Sequence, residues 1–179
     1  MRQSKLELWT VGHSTRPIEE FIQALNSFDI KVLVDVRSFP GSRRYPHFNR
    51  EQLSASLAAA GIEYQHLPEL GGRRRAKPDS HNMAWRNKMF RGYADYMETA
   101  EFRDGVAGLL DVARTRRTTI MCAEAVWWRC HRSLISDYLK AKEVEVIHII
   151  APGKSEPHRF TSAARIVNGE LSYKGVLEA

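Results

Sequence analysis

Cysteine and long apolar runs are both scarce in this sequence. Among 179 residues there are two cysteines, Cys122 and Cys130, too few for the disulfide framework of a small secreted protein. No apolar run approaches the roughly 18 residues that a membrane-spanning helix needs. The N-terminus reaches Glu7 without an apolar stretch, which does not fit a signal peptide. We therefore expect a cytoplasmic protein that does not enter the membrane.

Acidic residues are outnumbered by basic ones. The chain has 27 Lys and Arg against 21 Asp and Glu, so its formal net charge is +6 at pH 7. Arginine is clustered at 43–44, 73–75, 114–117 and 129–132. The planar guanidinium suits bidentate contact with phosphate or carboxylate. The clusters fit either an anionic partner, such as a small molecule or nucleic acid, or an ordinary solvated surface.

Strand and helix patterns alternate along the chain. Hydrophobic residues make up 43% and charged residues 27%, which is typical of a globular protein, and we expect one α/β domain over residues 1–179. Predicted strands cover residues 6–11, 31–36, 62–67, 118–122 and 144–150. Their order predicts a Rossmann-like, doubly wound, mostly parallel five-stranded sheet. Asn168-Gly169 between short alternating runs predicts a small C-terminal β-hairpin over residues 164–173.

Ligands of such sheets bind outside the carboxyl ends of the strands. This rule selects the segments that follow the predicted strands as candidates for a site. They are Gly12-His13-Ser14 and residues 37–48, 68–87, 122–132 and 151–153.

The segment 122–132 is the predicted catalytic centre. In one interpretation Glu124 is the nucleophile or general base, shielded from water by the tryptophans that follow it. In a second, Cys122 is a thiolate nucleophile supported by His131 or Arg132. The phosphatase pattern, a cysteine and an arginine with five residues between them, does not occur here, because Arg129 comes one residue too late.

Two further interpretations of this segment stay open. Cys122, Cys130 and His131 could bind a metal, but their spacing is not that of a standard zinc site, so other ligands would have to come from distant loops. His13, His47 and His66 are the candidates for those ligands. Alternatively the segment is structural, with its cysteines buried and inert. We expect no cofactor.

The loop after the second predicted strand is the candidate anion site. It places Asp35, Arg37, Arg43, Arg44 and Tyr45 in one segment. Arginine side chains bind phosphates, and aromatic rings stack on nucleobases. The alternative is an irregular loop in which Asp35 pairs with Arg37.

Three residues outside this loop complete the predicted anion site. His13 and Ser14 lie on a short turn that lets the backbone approach a ligand, and Arg132 is the candidate from the segment 122–132.

Several motifs together resemble a known family. They are Thr-Val-Gly-His-Ser at 10–14, Val-Asp-Val-Arg-Ser-Phe-Pro-Gly-Ser at 34–42, Leu-Gly-Gly at 70–72, Tyr-Ala-Asp-Tyr-Met at 93–97, Met-Cys-Ala-Glu at 121–124, Cys-His-Arg at 130–132 and Ala-Arg-Ile at 164–166. In this order, and over nearly the whole chain, they resemble the domain of unknown function 488. The resemblance implies a single-domain protein and supports the fold and the candidate residues, but it supplies no mechanism.

The leading hypothesis from the sequence is an intracellular enzyme, a hydrolase or transferase, with an acid/base site at the carboxyl edge of the sheet. Its ligand would be a nucleotide, a nucleic-acid component or another phosphorylated or anionic molecule. One alternative is a non-catalytic nucleic-acid binding module. The other is a metal- or thiol-dependent protein that uses Cys122, Cys130 and His131.

Overall fold

The computed structural model describes residues 4–175, over which five α-helices and eight strands follow the predicted alternation. The strands are β1 (Glu7–Gly12), β2 (Val32–Asp35), β3 (Glu63–His66), β4 (Thr118–Cys122), β5 (Glu145–Ala151), β6 (Lys154–Pro157), β7 (Arg165–Val167) and β8 (Glu170–Ser172). The helices are α1 (Ile18–Ser27), α2 (Arg50–Ala59), α3 (Lys88–Tyr96), α4 (Ala100–Thr115) and α5 (Arg132–Ala141).

The main sheet has the strand order β3-β2-β4-β1-β5-β6. The first five strands in that order are parallel, which confirms the predicted architecture, and β4 lies between β2 and β1. Its register places Cys122 beside Gly12 and Met121 beside Asp35, so the loops after β1, β2 and β4 leave the sheet side by side. The carboxyl edge is therefore where the candidate residues meet.

The sheet differs from the prediction by one strand. β6 pairs antiparallel with β5 and makes the sheet six-stranded rather than five-stranded. Residues 151–153, a candidate ligand loop from the sequence, form the tight connection between these strands, with Gly153 at φ +69°. An edge strand pairs mainly through its backbone, so its side chains need not show an apolar pattern.

Both faces of the sheet are covered by helices. Alternate residues of β2 show this directly, because Val32 and Val34 pack into one buried cluster and Leu33 into the other. Helices α1 and α2 cover the Leu33 face, and α3, α4 and α5 cover the opposite face. Burying each large apolar side chain contributes about 1.5–3 kcal/mol, so the sheet is a rigid platform for the loops at its edge.

The ends of two helices explain part of the loop geometry. Asn49 precedes α2, but its side chain accepts a hydrogen bond from the backbone N–H of Ser42 instead of capping the helix. Asn87 caps α3 by accepting from the N–H groups of Met89 (2.8 Å) and Phe90 (3.3 Å). The first of these interactions fixes the loop after β2 against α2, and the second fixes where the long loop before α3 ends.

The predicted C-terminal hairpin is present as β7 and β8. Asn168 and Gly169 have φ angles of +51° and +79°, as both central residues of a type I′ turn require. None of the helices within residues 4–175 is long and apolar enough to span a membrane.

Candidate functional site

A cavity of about 550 Å³ opens at the carboxyl edge of the sheet. The loops after β1, β2 and β4 line it, together with the start of the long loop before α3 and the first residues of α3. Most of the residues predicted from the sequence are in its wall, namely His13, Ser14, Arg37, Tyr45, Cys122, Glu124, Cys130 and His131.

The loops after β1 and β4 are joined into one wall. The backbone N–H of His13 donates to the carbonyl of Cys122, and that of Ser14 donates to the carbonyl of Ala123, both at 3.0 Å. Gly12 permits this close approach, because a Cβ atom at that position would lie 1.8 Å from the carbonyl oxygen of Glu124. The turn at 12–14 thus packs backbone against backbone.

Arg37 is held in place by a buried carboxylate. Asp35 is fully buried and accepts from Nε of Arg37 at 2.9 Å and from Nη2 at 2.7 Å. Tyr64 also donates its hydroxyl to Asp35 at 2.6 Å, and burial, followed by this hydrogen bond, raises the pKa of Tyr64. Asp35 does not line the cavity, so its place is behind the guanidinium and not against a ligand.

His13 supports Arg37 from the other side. Its Nδ1 lies 2.9 Å from the carbonyl oxygen of Ser14, so Nδ1 carries the proton. Its Nε2 then accepts from Nη1 of Arg37 at 3.4 Å. Burial lowers the pKa of His13 to about 4, against a smaller opposing effect of the bond to Ser14, so the ring is neutral at pH 7. The remaining N–H groups of Arg37 are left for a ligand.

Cys130 and His131 stand directly before α5, which begins at Arg132. Sγ of Cys130 lies 3.4 Å from Nδ1 of His131 and accepts from the backbone N–H of Arg132 at 3.4 Å. Nε2 of His131 lies 3.0 Å from the carbonyl oxygen of Val36 and must donate to it. Nδ1 is therefore unprotonated and faces the sulfur.

The two thiols lie in different electrostatic surroundings. Burial raises the pKa of the Cys122 thiol well above its usual value, and Sγ of Cys122 donates to the carbonyl of Glu124 at 3.6 Å. Burial also raises the pKa of the Cys130 thiol, but the adjacent Cys122 side chain, the Arg132 charge and the backbone N–H of Arg132 lower it overall. The thiol whose pKa is lowered is therefore Cys130, whereas the sequence interpretation placed the thiolate at Cys122.

Gly71 and Gly72 bring the long loop before α3 into the site. A Cβ atom on Gly72 would lie 2.4 Å from Nδ1 of His131, and one on Gly71 would lie 2.6 Å from Oγ of Ser38. The backbone N–H of Arg73 donates to the same Ser38 hydroxyl at 3.2 Å. Arg73, from the arginine cluster at 73–75, thereby joins the cavity wall, and only a Gly pair permits this approach.

Glu124 lines the cavity, but it is exposed. The shielding expected from the flanking tryptophans does not occur. Trp127 turns away and stacks on His148, with ring centroids 4.6 Å apart, and Trp128 is 54% exposed. Glu124 therefore faces the cavity as a solvated carboxylate.

Three of the predicted anion-binding arginines lie outside the cavity wall. Arg132 is 1% exposed and donates from Nη2 to the carbonyls of Glu124 and Ala125, both at 3.2 Å, so it supports the loop from beneath. Arg43 lines a shallower neighbouring depression, and Arg44 lies 5.9 Å from the ring of Tyr45. Arg73 and Arg129 occupy the wall together with Arg37 instead.

The histidines proposed as extra metal ligands are engaged elsewhere. Nε2 of His47 lies 2.9 Å from the carbonyl oxygen of Arg16, and Nε2 of His66 lies 2.9 Å from that of Arg37. Within residues 4–175, no group of three or more His, Cys, Asp and Glu side chains is arranged to hold a metal ion. Cys122, Cys130 and His131 thus lack the further ligands that a metal site would need.

Sequence reasoning missed a buried polar chain behind Trp127. Thr10 donates to Nδ1 of His148 (2.5 Å), Nε2 of His148 lies 2.8 Å from Nδ1 of His158, and Nε2 of His158 lies 2.8 Å from Asp137. Each of these side chains is at most 3% exposed. The members come from four separate segments, so no local motif revealed them.

Comparison with known proteins places the chain in a family. No curated protein and no solved structure matches it. A family model, described as Domain of unknown function DUF488, matches residues 17–139, which include the loops after β2 and β4. The match covers well over half of the chain, so this protein belongs to the DUF488 family.

Proposed function

We propose that this protein is a cytoplasmic enzyme, a hydrolase or transferase, that acts on a nucleotide, a nucleic-acid component or another phosphorylated ligand. The observation that carries the proposal is the position of Arg37. Its guanidinium is fixed between Asp35 and His13, and it shares one cavity with the free carboxylate of Glu124. An oriented anion clamp next to an acid/base group is the arrangement that such reactions need.

The cavity wall is suited to phosphate. Arg37, Arg73 and Arg129 all line it, and the ion pair with Asp35 sets the Arg37 guanidinium in a fixed plane before any ligand arrives. Binding therefore requires little further ordering of the Arg37 side chain, which favours affinity. A volume of about 550 Å³ lies within the range of small-molecule sites.

The rim of the cavity offers aromatic and apolar surface. Phe39 is 70% exposed, and Arg73 lies 5.4 Å from its ring centroid. Met89, which is 62% exposed, and Phe90 line the same cavity. Exposed rings next to arginines stack well on nucleobases, which supports a nucleotide over a simple phosphorylated metabolite.

Glu124 is the proposed general acid/base. Its carboxylate lines the cavity and makes no hydrogen bond to another side chain among the described residues. It is therefore free to exchange a proton with water or substrate. Positioned acid/base groups typically contribute about 10²–10⁴-fold to a rate.

The test is turnover of a panel of nucleotides and sugar phosphates, followed by phosphate release. Once a substrate is found, we expect Arg37→Lys to lower kcat/KM by about 10–100-fold, because lysine keeps the charge but loses the bidentate plane. Glu124→Gln should lower kcat by at least about 100-fold. Glu145→Gln and Arg116→Lys, at the opposite edge of the sheet, are the matched controls. Full activity in the Arg37 and Glu124 variants would contradict the proposal.

A binding module without catalysis is the second candidate. It is favoured by Arg43 and Arg44, which are exposed and lie beyond the cavity wall, so the basic surface is wider than one small ligand needs. This candidate predicts retention on single-stranded DNA or RNA that falls steeply with salt and weakens when both arginines are replaced by Ala. No retention at low salt would exclude it.

A further inference from the structure

Cys130 and His131 have no role in the acid/base scheme above. We propose that Cys130 is the nucleophile of a covalent phosphoryl transfer in the cavity, with His131 as its base. This inference rests on the proposed function and adds a reaction path to it.

The first support is the geometry of the pair. Sγ of Cys130 lies 3.4 Å from Nδ1 of His131, and Nε2 of His131 donates to the carbonyl of Val36 at 3.0 Å. That carbonyl fixes both the ring orientation and the tautomer, so the unprotonated nitrogen faces the thiol. A nucleophile, a base within hydrogen-bonding reach and a third group that orients the base are the three parts of an activated thiol. Gly72 packs against the imidazole of His131, and a side chain at that position would displace the ring.

The second support is the location of the sulfur at the start of α5. The backbone N–H of Arg132 donates to Sγ of Cys130 at 3.4 Å, and α5 runs for ten residues from that point. The positive end of the helix and the Arg132 guanidinium beside it both favour a thiolate. Cys122 has a different environment, because its thiol donates to the carbonyl of Glu124.

The third support is that the proposed nucleophile and the arginines that would bind the phosphoryl group line the same cavity. Cys130, His131 and Arg37 all line the 550 Å³ cavity, and Arg73 enters the wall beside His131 through the contact with Gly72. A phosphoryl group bound by the arginines would therefore lie in the cavity that Cys130 lines. Arginines that neutralise the equatorial oxygens stabilise the charge of the transition state.

The reaction balances with these groups alone. The thiol proton of Cys130 moves to Nδ1 of His131, and the thiolate attacks phosphorus. An S–P bond forms as the P–O bond to the leaving group breaks, and His131 returns its proton to the leaving oxygen. Water then attacks phosphorus and gives one proton to Glu124, the S–P bond breaks, and inorganic phosphate leaves. That proton restores the thiol, and the net reaction is hydrolysis of a phosphate ester.

Thiol reactivity tests the nucleophile without any substrate. Iodoacetamide labelling of the native protein, read by peptide mapping, should modify Cys130 at least about tenfold faster than Cys122 at pH 7. The pH midpoint for Cys130 should lie below the ordinary thiol value of about 8.5, and His131→Gln should raise it. Inorganic phosphate should slow the labelling. Equal labelling of both thiols, or a midpoint that His131→Gln leaves unchanged, would overturn the proposal.

Turnover separates this inference from the proposed function. With p-nitrophenyl phosphate or a mononucleotide, Cys130→Ser should lose at least about 100-fold in kcat, while thermal unfolding confirms that the variant is folded. An acid-quenched wild-type sample should carry one phosphoryl group on Cys130.

The outcomes of these experiments distinguish the proposed nucleophile from the proposed function. Turnover that survives Cys130→Ser but is lost in Arg37→Ala would overturn the nucleophile and leave the enzyme in place. A reactive Cys130 that no phosphate compound protects, with no turnover of the panel, would overturn the phosphoryl chemistry and the proposed function together.

Discussion

Asp35 and Arg37 form a bidentate ion pair across a single intervening residue, with Nε and Nη2 of the guanidinium 2.9 and 2.7 Å from the two carboxylate oxygens. The same carboxylate accepts the backbone N–H of Arg37 at 3.0 Å. One buried side chain therefore sets both the turn after β2 and the orientation of the arginine that points into the cavity.

This pair gives a stability prediction with an internal control. Asp35→Ala leaves the guanidinium and the Tyr64 hydroxyl without their buried partner, and we expect a loss of about 3–5 kcal/mol in the free energy of unfolding. Glu63 and Arg116 form an ion pair at the same 2.7 Å separation, but it is roughly half exposed. Arg116→Ala should cost less than about 1 kcal/mol. Urea denaturation measures both, and similar losses would contradict the prediction.

Two glycines give opposite predictions for the same substitution. In Gly12→Ala the new Cβ atom would clash with the backbone carbonyl of Glu124, which cannot move aside as a flexible side chain could. We therefore expect the free energy of unfolding to fall by about 1–3 kcal/mol. Gly108 lies in α4, and a Cβ atom added there would meet no other atom within 4 Å. Gly108→Ala should raise stability by about 0.5–1 kcal/mol. Thermal unfolding distinguishes them, and a neutral Gly12→Ala would show that the wall after β1 can shift.

Acidification should weaken the fold through its buried histidines. Burial lowers the pKa of His13 to about 4 and that of His148 still further, so the unfolded chain binds protons first as the pH falls below about 6.5. Stability is therefore highest above that pH and declines between pH 6.5 and 4, by about 1 kcal/mol per pH unit for each such histidine. Urea midpoints at pH 7, 6 and 5 measure this. His148→Asn should flatten the slope, and a slope that it leaves unchanged would argue against the assignment.

Asp137 is the anchor of the C-terminal region. Its carboxylate accepts from His158 (2.8 Å), from the Thr161 hydroxyl (2.6 Å) and from the Tyr173 hydroxyl (2.7 Å). Asp137→Ala leaves the buried His158 and Tyr173 and the partly buried Thr161 without their acceptor, so we expect the free energy of unfolding to fall by more than about 3 kcal/mol. The control is Asp111→Ala, because the Asp111 side chain is 77% exposed. Hydrogen exchange should show the region around β7 and β8 opening first, and unchanged protection there would contradict the role.

The sequence predicts the fold well in those elements whose burial requires a recognisable pattern of apolar residues. Beside β4, strand β2 begins with the apolar run Val-Leu-Val because helices cover both faces of the sheet, and Asn168-Gly169 defines a turn by its backbone preference alone. β6 leaves no such trace, since Lys-Ser-Glu-Pro at the sheet edge pairs through main-chain groups.

The site is predictable only in part, for a related reason. Strand ends locate the loops, so His13, Arg37 and His131 are found from their position in the chain. The contact of Gly72 with His131 depends on how a long loop folds back, and the choice of Cys130 over Cys122 depends on which sulfur meets the start of α5. These are tertiary relationships that spacing does not encode.

Trp127, in the loop after β4, packs against two histidines that are synthesised after the residues of the cavity. Its ring lies flat on His148 and edge-on to His158, at centroid distances of 4.6 and 4.8 Å. All residues that line the cavity are synthesised before either histidine. The loop after β4 therefore gains its aromatic support last, so a nascent chain that ends before β5 carries the reactive groups of the cavity without the packing that positions them.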